Sequence, residues 1–215
     1  MDWRQAIKDS SALGIDRLSV FLTGLEADAR QECYRLLHER RRSGRFEIPF
    51  VHARHDMAPD EYRMFMAEFG TERFNLHPVR KTPLPETGLP HNLRQLIYIE
   101  NVGKLLESDL EGFAGICVDV SHLEITRRVY PDYYPTLCAL IESYPIGANH
   151  VSAYSDVSGG EGRDDKHLYE SLSEFDYLRR YPLGYFGRYV AMELNNPLSE
   201  QLAVKDWLEK HLGLS

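Results

Sequence analysis

The stretch GICVDVSH, residues 115–122, decides how this chain is read. Gly115, Ile116, Cys117 and Val118 suit a strand buried on both faces. Asp119 and His122 then end it on a carboxylate and an imidazole, groups that a core strand has no use for. LIYIEN (96–101), ending on Glu100, and YVAMEL (189–194), carrying Glu193, repeat the pattern. A polar residue at the carboxyl end of an apolar strand marks the place where parallel α/β folds keep their chemistry.

Strand-like and helix-like segments alternate on either side of this stretch. Residues 2–13 read as helix and RLSVFLTG (17–24) as the first strand. EADARQECYRLLHERRRSG (26–44) has apolar positions at helical spacing and Gly44 as a C-cap. Its run Arg40–Arg42 reads as the solvated end of a helix, where cations complement the dipole. IPFVHARHD (48–56) is the second strand, 58–70 a helix with Pro59 near its start, and RFNLHP (73–78) the third strand. A short helix near 89–95 leads to LIYIEN as the fourth strand, and GICVDVSH is the fifth. A helix within 130–145 precedes GANHVSAYSD (147–156), the sixth. SGGEGRDDKH (158–167) is a loop. A short seventh strand is expected near 167–171, followed by a helix over 173–182 with Ser173 as N-cap. RYVAMEL (188–194) is then the eighth strand, and 198–213 the closing helix.

Eight strand–helix pairs predict an α/β fold of the (β/α)₈ TIM barrel type, one domain over residues 1–215. The alternative, a doubly wound open sheet, usually carries a GxGxxG turn after its first strand, and none is present. The composition, 43% hydrophobic and 27% charged, is that of an ordinary globular chain. No apolar run approaches the roughly 20 residues of a membrane span, and the first residues lack the apolar core of a signal peptide. Cys33, Cys117 and Cys138 lie far apart, which fits reduced thiols and a cytoplasmic protein. The net charge of −8 argues against a nucleic-acid partner held by bulk charge.

In a barrel the strand ends share one face. There His52, His77, Glu100, Asp119, His122, His150, Asp165, His167 and Glu193 would converge. Imidazoles and carboxylates together are ligands for Zn²⁺, Mn²⁺ or a similar ion. Without a cation, Glu100, Asp119, Asp165 and Glu193 would repel one another strongly. His55 reads as a hydrogen-bonded rim residue, and His38, His91 and His211 as surface residues of helical stretches.

IYIEN, GICVDVSH, HVSAYSD followed by DDKH, and VAMELNN together resemble the xylose isomerase-like TIM barrels, a superfamily of sugar-phosphate isomerases and epimerases that includes endonuclease IV. The resemblance implies a metal held by Glu100, Asp119, His150 and Glu193. It implies further ions at His52, His77, His122, Asp165 and His167. In the epimerase branch Glu100 and Glu193 exchange the substrate proton, and His122 would orient a hydroxyl. The expected activity is therefore metal-dependent isomerisation or epimerisation of a small sugar or sugar phosphate. Dimers are common in such relatives, so a homodimer is expected. The endonuclease IV branch implies instead a phosphoesterase with two or three zinc ions, acting on a phosphate ester or abasic DNA. A third reading is a non-catalytic, metal-stabilised binding module. Relatives usually have proline and then Gly-x-Gly after the Asp-x-His. Here the sequence is HLYESLSEFD, which alters a loop that shapes the substrate site.

Overall fold

A computed structural model describes residues 2–80, 84, 88–154 and 167–213. The chain forms two compact units, Met1–Ile99 with Ser108–Ala114, and Glu100–Glu107 with Gly115–Ser215.

The first unit runs α1 (Trp3–Ala12), β1 (Val20–Phe21), α2 (Ala27–Arg42), β2 (Phe50–His52), α3 (Pro59–Phe69), β3 (Arg73–Leu76), α4 (His91–Arg94) and β4 (Ile97–Glu100). The last residue of β4, Glu100, already belongs to the second unit. Strands β1 to β4 pair in parallel, each with the next. Phe50, Phe65, Phe69, Phe74 and Leu76 are buried between strands and helices. Burying each contributes about 1.5–3 kcal/mol. Helix α3 begins and ends as its sequence dictates. Pro59 fits the first turn, Glu61 accepts from the Ala58 N–H at 2.7 Å, and Gly70 closes the helix at φ 68°. Helices α2 and α3 are joined by Arg30, whose buried guanidinium donates to Glu61 at 3.1 Å, Asp56 at 3.0 Å and the Leu25 carbonyl at 3.0 Å.

The second unit holds β5 (Gly115–Asp119), α5 (Val120–Val129), α6 (Tyr134–Ser143), β6 (Ile146–Val151), β7 (Tyr189–Met192) and α7 (Leu198–Leu212), with 3₁₀ turns at Leu172–Arg180 and Leu183–Tyr185. Strands β5, β6 and β7 are again parallel. The fifth strand is shorter than expected, because α5 starts directly after Asp119 with no intervening loop. Asp119 is its N-cap. The 173–182 helix is a 3₁₀ turn, and its cap is Ser171 rather than Ser173.

The closed eight-stranded barrel is corrected. Among the described residues there are seven strands, all parallel, in the order β1-β2-β3-β4-β5-β6-β7, with β1 and β7 as the end strands. The expected eighth strand is β7, and the expected seventh, near 167–171, is not a strand. A backbone bond from Asn195 N–H to the His167 carbonyl at 2.5 Å reaches this segment, and side chains supply further partners. Tyr169 N–H donates to Asn196 Oδ1 at 3.0 Å, Asn196 Nδ2 donates to the Tyr169 carbonyl at 3.1 Å, and Glu174 takes the N–H groups of Glu170 and Ser171. The sequential order also differs from the reversing order of a doubly wound sheet. The fold is α/β with an open parallel sheet, and the resemblance to xylose isomerase-like barrels, which implies closure by an eighth strand, does not hold. No described helix is long and apolar enough to cross a membrane.

One glycine is obligatory in the second unit. Gly115 opens β5 at φ 143°, and a Cβ there would lie 2.1 Å from the Pro145 carbonyl oxygen. That oxygen accepts from the Ile116 N–H at 2.9 Å, so neither partner can withdraw without breaking the pairing. Gly115→Ala should therefore cost at least ~3 kcal/mol, read as a lower urea midpoint with an unchanged slope.

Candidate metal centre

The site is assembled by the pairing of β5 with β6. Ile116 faces Ile146, but Cys117 faces Ala148, so Gly147 is an extra residue in β6. From there Val118 faces Asn149 and Asp119 faces His150. Side chains alternate along a strand, so without the extra residue Asn149 would stand opposite Asp119 and His150 would point to the other face. The bulge is packed against Gly187, where a Cβ would come within 2.6 Å of the Gly147 backbone. Asn149 points away from the site and is fixed there. Its Nδ2 donates to the carbonyls of Val118 at 3.1 Å and Tyr185 at 2.8 Å, and its Oδ1 accepts from Gly187 N–H at 2.6 Å.

Four residues then meet in the second unit. One ligand atom each from Glu100, Asp119 and His150 lies within 4.8 Å of the others, and all three residues are buried. His150 Nδ1 is 3.2 Å from Glu100 Oε2 and 3.5 Å from Glu193 Oε2. His122 Nδ1 is 3.4 Å from both Glu100 Oε1 and Asp119 Oδ2. Glu193 follows β7, its N–H bonded to the Val151 carbonyl at 2.9 Å. Its side chain is 23% exposed whereas that of Glu100 is fully covered, so Glu193 is the more open of these two acids.

The electrostatics follow from this crowding. Burial raises the carboxyl of Glu193, the charges of Glu100 and Asp119 raise it further, and His150 and His167 oppose them; it is pushed up to about 7. Burial disfavours a proton on His150, but Cys117 and Glu100 outweigh burial and hold its pKa well above the ordinary histidine value. Burial pushes the Cys117 thiol up to about 11, so it remains protonated at neutral pH.

The remaining expected ligands divide between the two units. His52 ends β2 in the first unit, its ring centroid 5.0 Å from that of His77, which lies just beyond β3. His55 Nε2 is 3.0 Å from the His77 carbonyl oxygen, a rim hydrogen bond as its sequence context suggested. His167 turns its Nδ1 to the backbone carbonyl of Glu193 at 3.0 Å. Asp165 lies outside the described residues.

Two supporting residues escaped the sequence reading. Asn101, fully buried, accepts from Asp119 N–H at 2.6 Å and donates to the Asp119 carbonyl at 2.9 Å. It pins the backbone of one acid to the residue that follows another, Glu100. Ser121 donates its hydroxyl to Asp119 Oδ1 at 2.6 Å. The asparagine in IEN was visible, but nothing in the pattern says that it grips the backbone of a neighbouring strand end.

The fragment is compatible with a divalent cation. Ligand atoms bound to one ion at about 2.0–2.2 Å lie roughly 3–4 Å apart, a spacing within that of this cluster. Asp119 Oδ2 is buried and accepts no hydrogen bond among the described residues, the condition of an oxygen that faces a cation. No family model matches the chain, and no curated protein matches it.

Asn101→Ala would remove the two buried hydrogen bonds that its side chain makes with the Asp119 N–H and C=O. We expect a loss of about 2–4 kcal/mol in denaturant unfolding.

Proposed function

We propose that the protein is a metal-dependent isomerase or epimerase of a small keto-sugar or sugar phosphate, with Glu100, Asp119, His150 and Glu193 as the metal ligands. The observation that carries this reading is the convergence of Glu100, Asp119 and Glu193 on the buried imidazole of His150, with Glu193 the more open of the two glutamates. An ionised carboxylate at that outer position can take a proton from a substrate and return it.

A divalent cation in this cluster, such as Mn²⁺ or Zn²⁺, would polarise the carbonyl of the substrate as a Lewis acid. The rest is done by the chain. Glu193 removes the proton from the carbon α to that carbonyl, and the electron pair moves into an enediolate. In an isomerase Glu193 returns that proton to the neighbouring carbon; in an epimerase Glu193 keeps it, and Glu100, protonated at the start, donates its own proton to the opposite face of the same carbon. His122 is partly exposed and lies beside both Glu100 and Asp119, where its ring can orient a substrate hydroxyl.

Metal content per chain after gentle purification tests the reading. One exchangeable ion per chain supports the isomerase. Two or three tightly held zinc ions would support a multi-zinc phosphoesterase, and no ion at all would overturn the metal reading. Glu193→Gln, which keeps the shape and removes the base, should lower proton exchange from keto-sugars by about 10²–10⁴-fold with little effect on folding.

The pH dependence has a definite sign. In the folded, metal-free protein Glu193 keeps its proton up to about pH 7, against an ordinary value of 4.5, and His150 is also raised. A raised group favours folding at low pH, and that contribution is lost as pH rises through the folded value. The metal-free protein should therefore lose thermal stability between pH 5 and 8. The increase in Tm on adding Mn²⁺ should grow over the same interval, because below about pH 7 the ion must displace protons. Differential scanning fluorimetry with and without Mn²⁺ checks both.

A further inference from the structure

The cap of α5 has a consequence for the metal centre that goes beyond the identity of its ligands, and it rests on the metal reading above. Asp119 Oδ1 accepts two hydrogen bonds, from Ser121 Oγ at 2.6 Å and from His122 N–H at 2.9 Å. A carboxylate oxygen has two lone pairs in its plane, so Oδ1 is saturated. Oδ2 of the same carboxylate is buried and accepts no hydrogen bond among the described residues, His122 Nδ1 lying 3.4 Å from it. The backbone of Asp119 is held at both its N–H and its C=O by Asn101. The residue is thus held at its backbone and at Oδ1, which leaves Oδ2 as the oxygen available to a cation.

We infer that Ser121 and Asn101 are positioning residues that make Asp119 a one-oxygen ligand, with Oδ2 alone directed at the cation. Ser121 is the specificity-determining member. By occupying Oδ1 it denies the site a bidentate carboxylate, the mode on which Ca²⁺ relies to reach six to eight oxygen ligands. With His150 as a nitrogen ligand, the site then selects the smaller ions of lower coordination number, such as Zn²⁺, Co²⁺ and Mn²⁺, over Ca²⁺. Asn101 sets where Asp119 begins, and Ser121 sets which of its oxygens remains available.

The alternative is that Ser121 only strengthens the helix cap. Removal of a cap contact lowers stability but leaves the coordination of a bound ion unchanged. The two are separated by loading the purified full chain with Co²⁺ and reading its visible spectrum, which reports coordination number and geometry, together with the Kd for Co²⁺ and for Ca²⁺ by titration calorimetry. Ser121→Ala should weaken Co²⁺ binding by about 10- to 100-fold, the usual effect of removing a partner that orients a ligand. It should also change the Co²⁺ spectrum and narrow the preference for Co²⁺ over Ca²⁺. Ser121→Thr, which restores a hydroxyl, should recover all three. Ser121→Cys, of similar shape with a weak donor, should fall between, and it decides the matter should the alanine variant not fold. A lowered Tm in Ser121→Ala with an unchanged spectrum, affinity and ion preference would overturn the inference while leaving the metal centre standing. A wild-type chain that takes up no Co²⁺ would overturn both.

Discussion

The extra residue in β6 is the constraint on which the candidate site depends. Gly147 shifts the pairing with β5 by one position, and a one-residue shift reverses every side chain that follows. It brings His150 to the face of Asp119 and sends Asn149 to the other side. Asn149 is useful there because its amide fastens a 3₁₀ turn and the loop at Gly187 to the strand. The close approach at Gly187 leaves no room for a side chain beside the bulge, so the irregularity is built in from both sides. An otherwise regular parallel sheet departs from its register two residues before the acid that matters most, as bulges next to functional sites commonly do.

Strand ends that bear Glu100, Asp119 and Glu193 were legible because a carboxylate after an apolar run contradicts the run. His122 and His150 were legible for the same reason. The bulge was not, since IGANHV carries no mark distinguishing a strand with an extra residue from one without. Helix α5 was hidden by its own cap. In GICVDVSH the β-branched residues Val118 and Val120 continue the strand pattern past Asp119, and only the hydrogen bond from His122 N–H to the Asp119 carboxylate shows where helix begins. The strand expected near 167–171 failed for another reason. HLYES has little β propensity, and Tyr169 is held at both its N–H and its C=O by the Asn196 side chain rather than by a neighbouring strand.

The treatment of buried acids within the second unit bears on what the cluster is for. Glu124 is fully covered, like Glu100 and Asp119. Its two oxygens accept from Arg127 at 2.7 and 3.0 Å, from Arg180 at 2.6 Å and from the Tyr181 hydroxyl at 2.7 Å. Burial raises its carboxyl, yet the hydrogen bonds of Arg127 and Tyr181 outweigh burial and hold it below the ordinary value. This is how a buried carboxylate is compensated when its role is to join α5 to the 3₁₀ turn that ends at Arg180: permanent cations and bidentate geometry. Glu193, by contrast, is pushed upward by burial and by the charges of Glu100 and Asp119, which the imidazole of His150 offsets only in part. An imidazole offers a charge that pH can remove and a lone pair that a metal can use, whereas a guanidinium offers neither. The same few turns of chain thus place arginine where an acid must remain ionised and histidine where a proton or a cation must be exchangeable. That division of partners sets the cluster around His150 apart from the arginine-held carboxylate of Glu124.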